Sequence, residues 1–159
     1  MSSANVTRSK FRAAENHATD ASAAFMDIKH LAASPDVGSI VALAAVDGSP
    51  EGVAKEAEKY RSSDELHFYG WLVDGQVLGI CGFEVHADNV EIHLIAVVNS
   101  RQRQGIGAAM VTALQKKYAR PIIAETVEEA IGFYQKQGFA LSAHPHPDWG
   151  WKYTCYLQI

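Results

Sequence analysis

The stretch Val90-Glu91-Ile92-His93-Leu94-Ile95-Ala96-Val97-Val98-Asn99-Ser100-Arg101-Gln102-Arg103-Gln104-Gly105-Ile106-Gly107 runs from an apolar segment through a basic, glycine-containing turn. Residues 90–98 are rich in β-branched side chains and predict a strand. Residues 105–118 predict a helix. The physical point of such a junction is anion binding. The first turn of a helix carries unpaired N–H groups and the positive end of its dipole. Glycines at 105 and 107 let the backbone approach a ligand closely, and a phosphate fits there. Arg101 and Arg103 add charge beside it. A tryptophan at position 107 is expected to block that anion and leave the fold intact. The turn is not a Walker A loop, because no Lys-Ser/Thr pair follows Gly107. It is not a dinucleotide fingerprint either, because no βαβ unit surrounds it.

Upstream, the punctuation predicts a meander. Residues 66–73 and 77–85 read as strands joined by Asp74-Gly75, the signature of a type I′ hairpin turn, and Ala87-Asp88-Asn89 turns the chain into 90–98. Before them, residues 27–31 alternate and predict a short strand. Ser34-Pro35-Asp36 is a helix start, with the helix reaching 44. A second helix spans 50–60, with Val53, Ala54, Ala57 and Tyr60 on one face. Downstream, 121–125 predicts a buried strand and 127–137 a helix closed by Gly138. Residues 139–142 and 153–159 predict the last strands. His144-Pro145-His146-Pro147-Asp148 predicts a loop, since prolines interrupt regular structure.

The segment Ile95 to Met110 resembles the acetyl-CoA-binding motif of the GNAT superfamily of N-acetyltransferases. Gln102, Gly105 and Gly107 fill the defined positions of the pattern Gln/Arg-x-x-Gly-x-Gly/Ala. Arg103 stands where many members have glycine. Downstream, Ala130, Phe133, Tyr134, Gly138 and Phe139 resemble the family's A-x-x-F-Y-x-x-x-G-F helix. The resemblance covers residues 26–159. It implies an α/β (α+β) fold: a mixed, mostly antiparallel twisted sheet of about six to seven strands flanked by about four helices. It implies that strand 90–98 splays from strand 121–125, with the pantetheine arm in the gap on backbone groups of Ile95 and Val97. The implied co-substrate is acetyl-CoA, and the implied site comprises Ile95, Ala96, Val97, Arg101, Gln102, Arg103, Gln104, Gly105, Ile106, Gly107, Ala108, Thr126, Phe133 and Tyr134. Gln102 in place of arginine suggests that backbone N–H groups provide the main grip.

Acetyl transfer needs a neutral amine, hence a base, stabilisation of the thioester oxygen and positioning. Glu91 is the first candidate base, at the place where family members often use a glutamate. Strand alternation puts Glu91, His93 and Ile95 on one face, so His93 is a second candidate, with a titration range nearer neutrality. Each also reads as an ordinary structural side chain. The resemblance makes Tyr134 the acid near the CoA sulfur; otherwise it is a core aromatic beside Phe133. Thr126 lies where many members have asparagine, and with Glu129 it reads as a capping box. Glu125 ends a strand or meets a cationic substrate. His144, His146, Trp149 and Trp151 read as a surface loop, with substrate-wall and metal readings weaker; no metal is expected. His67, Tyr69 and Trp71 face either cleft or core.

Composition bounds the rest. At 159 residues, 48% hydrophobic and 20% charged, the chain suits one soluble domain. Residues 1–25 are poor in large apolar side chains and read as an extension, disordered or with a docked helix over 16–24. A net charge of -4 disfavours general nucleic-acid binding. The two cysteines read as buried thiols. No stretch approaches the ~20 apolar residues of a membrane span, and Arg8, Lys10 and Arg12 precede no apolar run, so no leader is expected. A cytoplasmic location follows by elimination. The acceptor is a small-molecule or protein amine, and members often dimerise. A CoA-binding module without turnover is the alternative.

Overall fold

Asp74 and Gly75 have φ of 51° and 79°, both left-handed, so the chain reverses there in two residues. The turn joins β2 (Leu66–Val73) to β3 (Gln76–Val85), and β4 (Val90–Val97) completes the meander. The computed structural model describes residues 22–148 and 150–159; Trp149 and residues 16–21 of the helix expected over 16–24 lie outside them, and residues 23 and 24 of that helix are strand instead. The remaining strands are β1 (Ala23–Asp27), β5 (Ile122–Thr126), β6 (Ala140–His146) and β7 (Gly150–Leu157). The described helices are α1 (Pro35–Val41), α2 (Pro50–Ser62), α3 (Ile106–Tyr118) and α4 (Ile131–Lys136). The strands form one seven-stranded sheet, ordered β1-β2-β3-β4-β5-β7-β6. Among the described strands only β4 and β5 pair in parallel. Their connection crosses over through α3, as a parallel pair requires, so a βαβ unit does surround the turn at 99–107, contrary to the expectation above.

Each sheet face buries its own core. Leu78, Cys81, Phe83, Val90 and Ile92 pack under Ile106, Met110, Val111 and Leu114 of α3 and Tyr134 of α4. On the other face Phe68, Ile80 and Leu94 meet Val37, Ile40 and Val41 of α1 and Ala57 and Tyr60 of α2. Two β-bulges set which residue faces which way. The register steps past Leu78 in β3 and past His93 in β4. A bulge puts an extra residue on one strand and bends it. No described helix is long and apolar enough to cross a membrane.

Several expectations need correction. The strand expected at 27–31 ends at Asp27, whose Oδ1 accepts the Lys29 N–H at 2.8 Å; this local bond diverts the backbone into a 3-10 turn at Lys29–Leu31. The strand therefore lies earlier and includes Ala23–Phe25, assigned above to the extension. Helix α1 starts as expected, with the Ser34 hydroxyl accepting the Val37 N–H at 3.4 Å. It stops at Val41, where tighter bonds (Leu43 N–H to Ile40, Ala44 N–H to Val41) take over. On α2, Ala54 is exposed and Gly52 buried. The helix expected at 127–137 begins at Ile131, because Thr126 is held in β5 opposite Tyr153. No side chain caps this helix or the 3-10 turn at Glu128–Ala130 before it, so the capping box does not form. The loop expected at 144–148 is mostly strand: β6 carries Pro145 opposite Trp151. An edge strand has one unpaired side, and there proline's missing N–H costs nothing.

Candidate active site

The site begins where β4 and β5 part. Their pairing is Val90↔Ile122, Glu91↔Ile123 and Ile92↔Ala124, and goes no further. The His93 bulge follows at once. It bends β4 with β3 while β5 stays in register with β7. Past the bulge, the Val98 N–H bonds the Leu78 carbonyl at 2.9 Å. Antiparallel alternation then gives Ala96 and Leu94 the bonds to β3 and turns the N–H and C=O groups of Ile95 and Val97 into the gap. A groove of about 830 Å³ lies there.

The turn above the groove is held by side chains. The Gln102 amide donates to the Val97 carbonyl at 3.0 Å and to Asn99 Oδ1 at 3.2 Å. Arg101 Nε donates to Gln104 Oε1 at 2.8 Å. Arg103 has φ 63° and Gly105 φ 86°. Glycine accepts this region freely and arginine does so at a cost. The first ladder bond of α3 runs from the Ala109 N–H to the Gly105 carbonyl, at 2.9 Å. The N–H groups of Ile106, Gly107 and Ala108 precede it and open the helix.

Four titratable side chains meet on the hairpin of β3 and β4. Glu84 and Glu91 are register partners. His86 Nε2 lies 3.0 Å from Glu91 Oε1, and His93 Nε2 lies 3.3 Å from Glu84 Oε1. The Glu91 hydrogen bond, aided by Glu84, holds the His86 imidazolium above the usual histidine range, against the smaller effect of burial.

Residues 25–139 match the model described as the acetyltransferase (GNAT) family. The chain belongs to the GNAT acetyltransferase family. An uncharacterized N-acetyltransferase from Bacillus methanolicus is 34% identical over 62 residues, 38% of this chain and 52% of that protein. The match thus spans about half of that relative. Among solved structures, a GNAT family acetyltransferase from Elizabethkingia anophelis with acetyl-CoA bound superposes with a TM-score of 0.63 at 19% identity, covering 88% of this chain and all (100%) of that one. The ribosomal-protein-S18-alanine N-acetyltransferase from Escherichia coli gives 0.64 at 19% identity, covering 86% and 94%. These two likenesses establish the fold.

In this GNAT chain the groove brings together most of the residues that the motifs named. Ile95, Ala96, Val97, Arg101, Gln102, Arg103, Gly105, Ile106, Gly107, Ala108, Thr126, Phe133 and Tyr134 line it, and His93 does too. Gln104 and Glu91 do not. His93 points to the side of Glu91, but Ile95 packs with Val90 and Ile92 on the opposite face. The single shared face expected of Glu91, His93 and Ile95 is therefore broken by the bulge, which inserts one residue into the alternation.

Gly107 has a second role. A Cβ there would meet Phe133 Cε1 at 2.5 Å, so the glycine admits the aromatic ring of α4 against α3. Tyr134, beside it, is buried. Its ring packs edge-on against Phe133 and Phe139 at 5.0 and 5.2 Å. Burial, then the neighbouring Cys81 and Cys155, push its phenol above the ordinary value. Gly138 (φ 90°) closes α4 as expected, with the Phe139 N–H on the Tyr134 carbonyl at 3.2 Å. Both cysteines are buried and free.

Glu125 also lines the groove but already faces cations, with Lys152 Nζ at 3.8 Å and His144 Nε2 at 3.9 Å. His67, Tyr69 and Trp71 are absent from the groove lining. His67 stacks on Phe83 at 5.1 Å; Tyr69 and Trp71 pack against the core. Sequence reading missed Glu84 and His86. Their signal was the hairpin itself: once 77–85 pairs with 90–98, every second residue is a cross-strand neighbour of Glu91 or His93.

Proposed function

We propose that the protein transfers an acetyl group from acetyl-CoA to a primary amine. The observation that carries this reading is the parting of β4 and β5 after Ile92↔Ala124. It leaves the backbone groups of Ile95 and the N–H of Val97 facing the gap below the helix N-terminus at Gly105, with the Val97 carbonyl held by Gln102. In this reading the pyrophosphate lies on the N–H groups of Ile106, Gly107 and Ala108, with Arg103 supplying charge. The pantetheine arm follows Ile95 and Val97. The amine nitrogen attacks the thioester carbonyl carbon and the C–S bond breaks. The amine's proton passes to Glu91 or His93, directly or through water. The leaving thiolate takes a proton from the Tyr134 phenol, which burial keeps protonated. The same reading places the protein in the cytoplasm, free or as a homodimer.

The test pairs calorimetric titration of acetyl-CoA with a thiol-release assay over polyamines, aminoglycosides, lysine peptides and peptides with N-terminal alanine. Turnover with any of these supports the reading. Tight binding without turnover on the whole panel favours a binding module that retains only the cofactor groove. Absence of acetyl-CoA binding removes both.

A further inference from the structure

Glu84 and Glu91 stand directly opposite each other on adjacent strands, an arrangement that is destabilising for like charges unless something cationic lies between them. In this hairpin two imidazoles converge on the pair. His86 follows β3 two residues after Glu84, and its N–H closes the turn on the Asn89 carbonyl at 2.8 Å. His93 follows Glu91 by two, so strand alternation keeps it on the same side. The donor atoms are 3.0 Å (His86 Nε2 to Glu91 Oε1), 3.3 Å (His93 Nε2 to Glu84 Oε1), 3.9 Å (His93 Nε2 to Glu91 Oε1) and 3.9 Å (His86 Nδ1 to Glu84 Oε2) apart. A tetrahedral ion with bonds of about 2.0–2.1 Å needs ligand atoms roughly 3.3–3.4 Å apart. The three separations that link His86 Nε2, Glu91 Oε1, His93 Nε2 and Glu84 Oε1 in a chain bracket that value, and rotation of the Glu84 and His86 side chains closes the chain onto one ion. Glu84, His86 and Glu91 alone place one donor atom each within 4.8 Å of the others, all at intermediate burial, so an ion can enter from solvent.

We propose that Glu84, His86, Glu91 and His93 form a binding site for a divalent transition metal of zinc type. Two imidazole nitrogens and two carboxylate oxygens suit zinc better than the all-oxygen shells of magnesium or calcium. Three of the four ligands sit on paired strands, which hold them without a loop rearrangement. The site has a consequence for chemistry, which rests on the acetyl-transfer reading above. A bound ion engages both candidate bases, so occupancy switches proton removal off at the His93 edge of the groove while leaving the turn at Gly105 free for acetyl-CoA.

The experiment uses the full chain, freed of metal with a chelator. Titration with Co²⁺ is followed by visible absorption and then by displacement with Zn²⁺. One Co²⁺ per chain is expected, with the intense d–d bands of tetrahedral coordination, bleached by one Zn²⁺. Glu84→Gln and His93→Asn should each weaken affinity by about tenfold or more while thermal unfolding shows both variants folded. The double variant His144→Gln/His146→Gln should bind as the parent does. Lack of stoichiometric binding, binding unchanged in Glu84→Gln and His93→Asn, or loss of binding in the His144/His146 variant instead would each overturn the site. Zn²⁺ should slow acetyl transfer in the parent and spare Glu84→Gln at the same concentration. A chain that binds metal yet acetylates no amine keeps the site and removes the transfer reading.

Discussion

The ring of Phe133 occupies the space that a side chain on Gly107 would need, its Cε1 2.5 Å from an ideal Cβ. The second glycine of the turn is therefore a packing glycine, and the fold is sensitive to it. Gly107→Ala should lower stability by about 1–3 kcal/mol through overpacking, together with acetyl-CoA affinity. The double variant Gly107→Ala/Phe133→Leu should recover part of the melting temperature. This replaces the expectation that a large residue at 107 blocks the ligand and spares the fold. Full stability in Gly107→Ala would restore that expectation.

Arg103 holds a left-handed backbone at φ 63°, which costs a non-glycine residue about 1–2 kcal/mol. Arg103→Gly removes the strain and the charge together; Arg103→Ala removes only the charge. Acetyl-CoA affinity should fall to a similar extent in both, and the loss should shrink as salt is raised. Arg103→Gly should melt higher than Arg103→Ala. Equal melting temperatures would mean that the strain is relieved elsewhere.

The hydrogen bond to Glu91, with Glu84 nearby, raises the His86 imidazole above its ordinary value. A histidine whose folded value is raised contributes stability that is fully present below its ordinary value of 6.5 and is lost as pH climbs through the raised value. In chelator-treated buffer, the melting-temperature difference between the parent and His86→Gln should be largest near pH 6 and should decline towards pH 9. A difference independent of pH would mean that His86 acts by packing rather than by charge.

Tyr134 tests the acid role. Burial raises its phenol above 10.0, so deprotonation of this group should not limit the rate at any pH below that value. Tyr134→Phe keeps the ring contacts and removes the proton. The turnover number should fall on the order of 100-fold, with acetyl-CoA affinity and melting temperature little changed. A rate within about twofold of the parent would assign the proton to water.

Much of this was legible along the chain. Asp74-Gly75 announced the hairpin because two left-handed residues in a row suit only such a turn. Ser34-Pro35 and Gly138 marked helix ends by local hydrogen bonding. The turn at 101–107 and the helix carrying Phe133 and Tyr134 were readable as motifs because their chemistry depends on near neighbours. What depends on partners far along the chain was not readable. Pro145 sits in a strand only because β6 is the edge of the sheet. Thr126 is denied a capping role because β7 holds it.

The sequence alone determined most of the elements, since these rest on local dihedral preference or spacing, and through its motifs it named the candidate anion turn and bases. Tertiary structure decided how they combine. The step past His93 comes where β4 and β5 part and turns Ile95 away from Glu91, while the hairpin register sets Glu84 opposite Glu91 and brings His86 beside it. A register shift of one residue is a property of two strands together, and no single strand's sequence contains it.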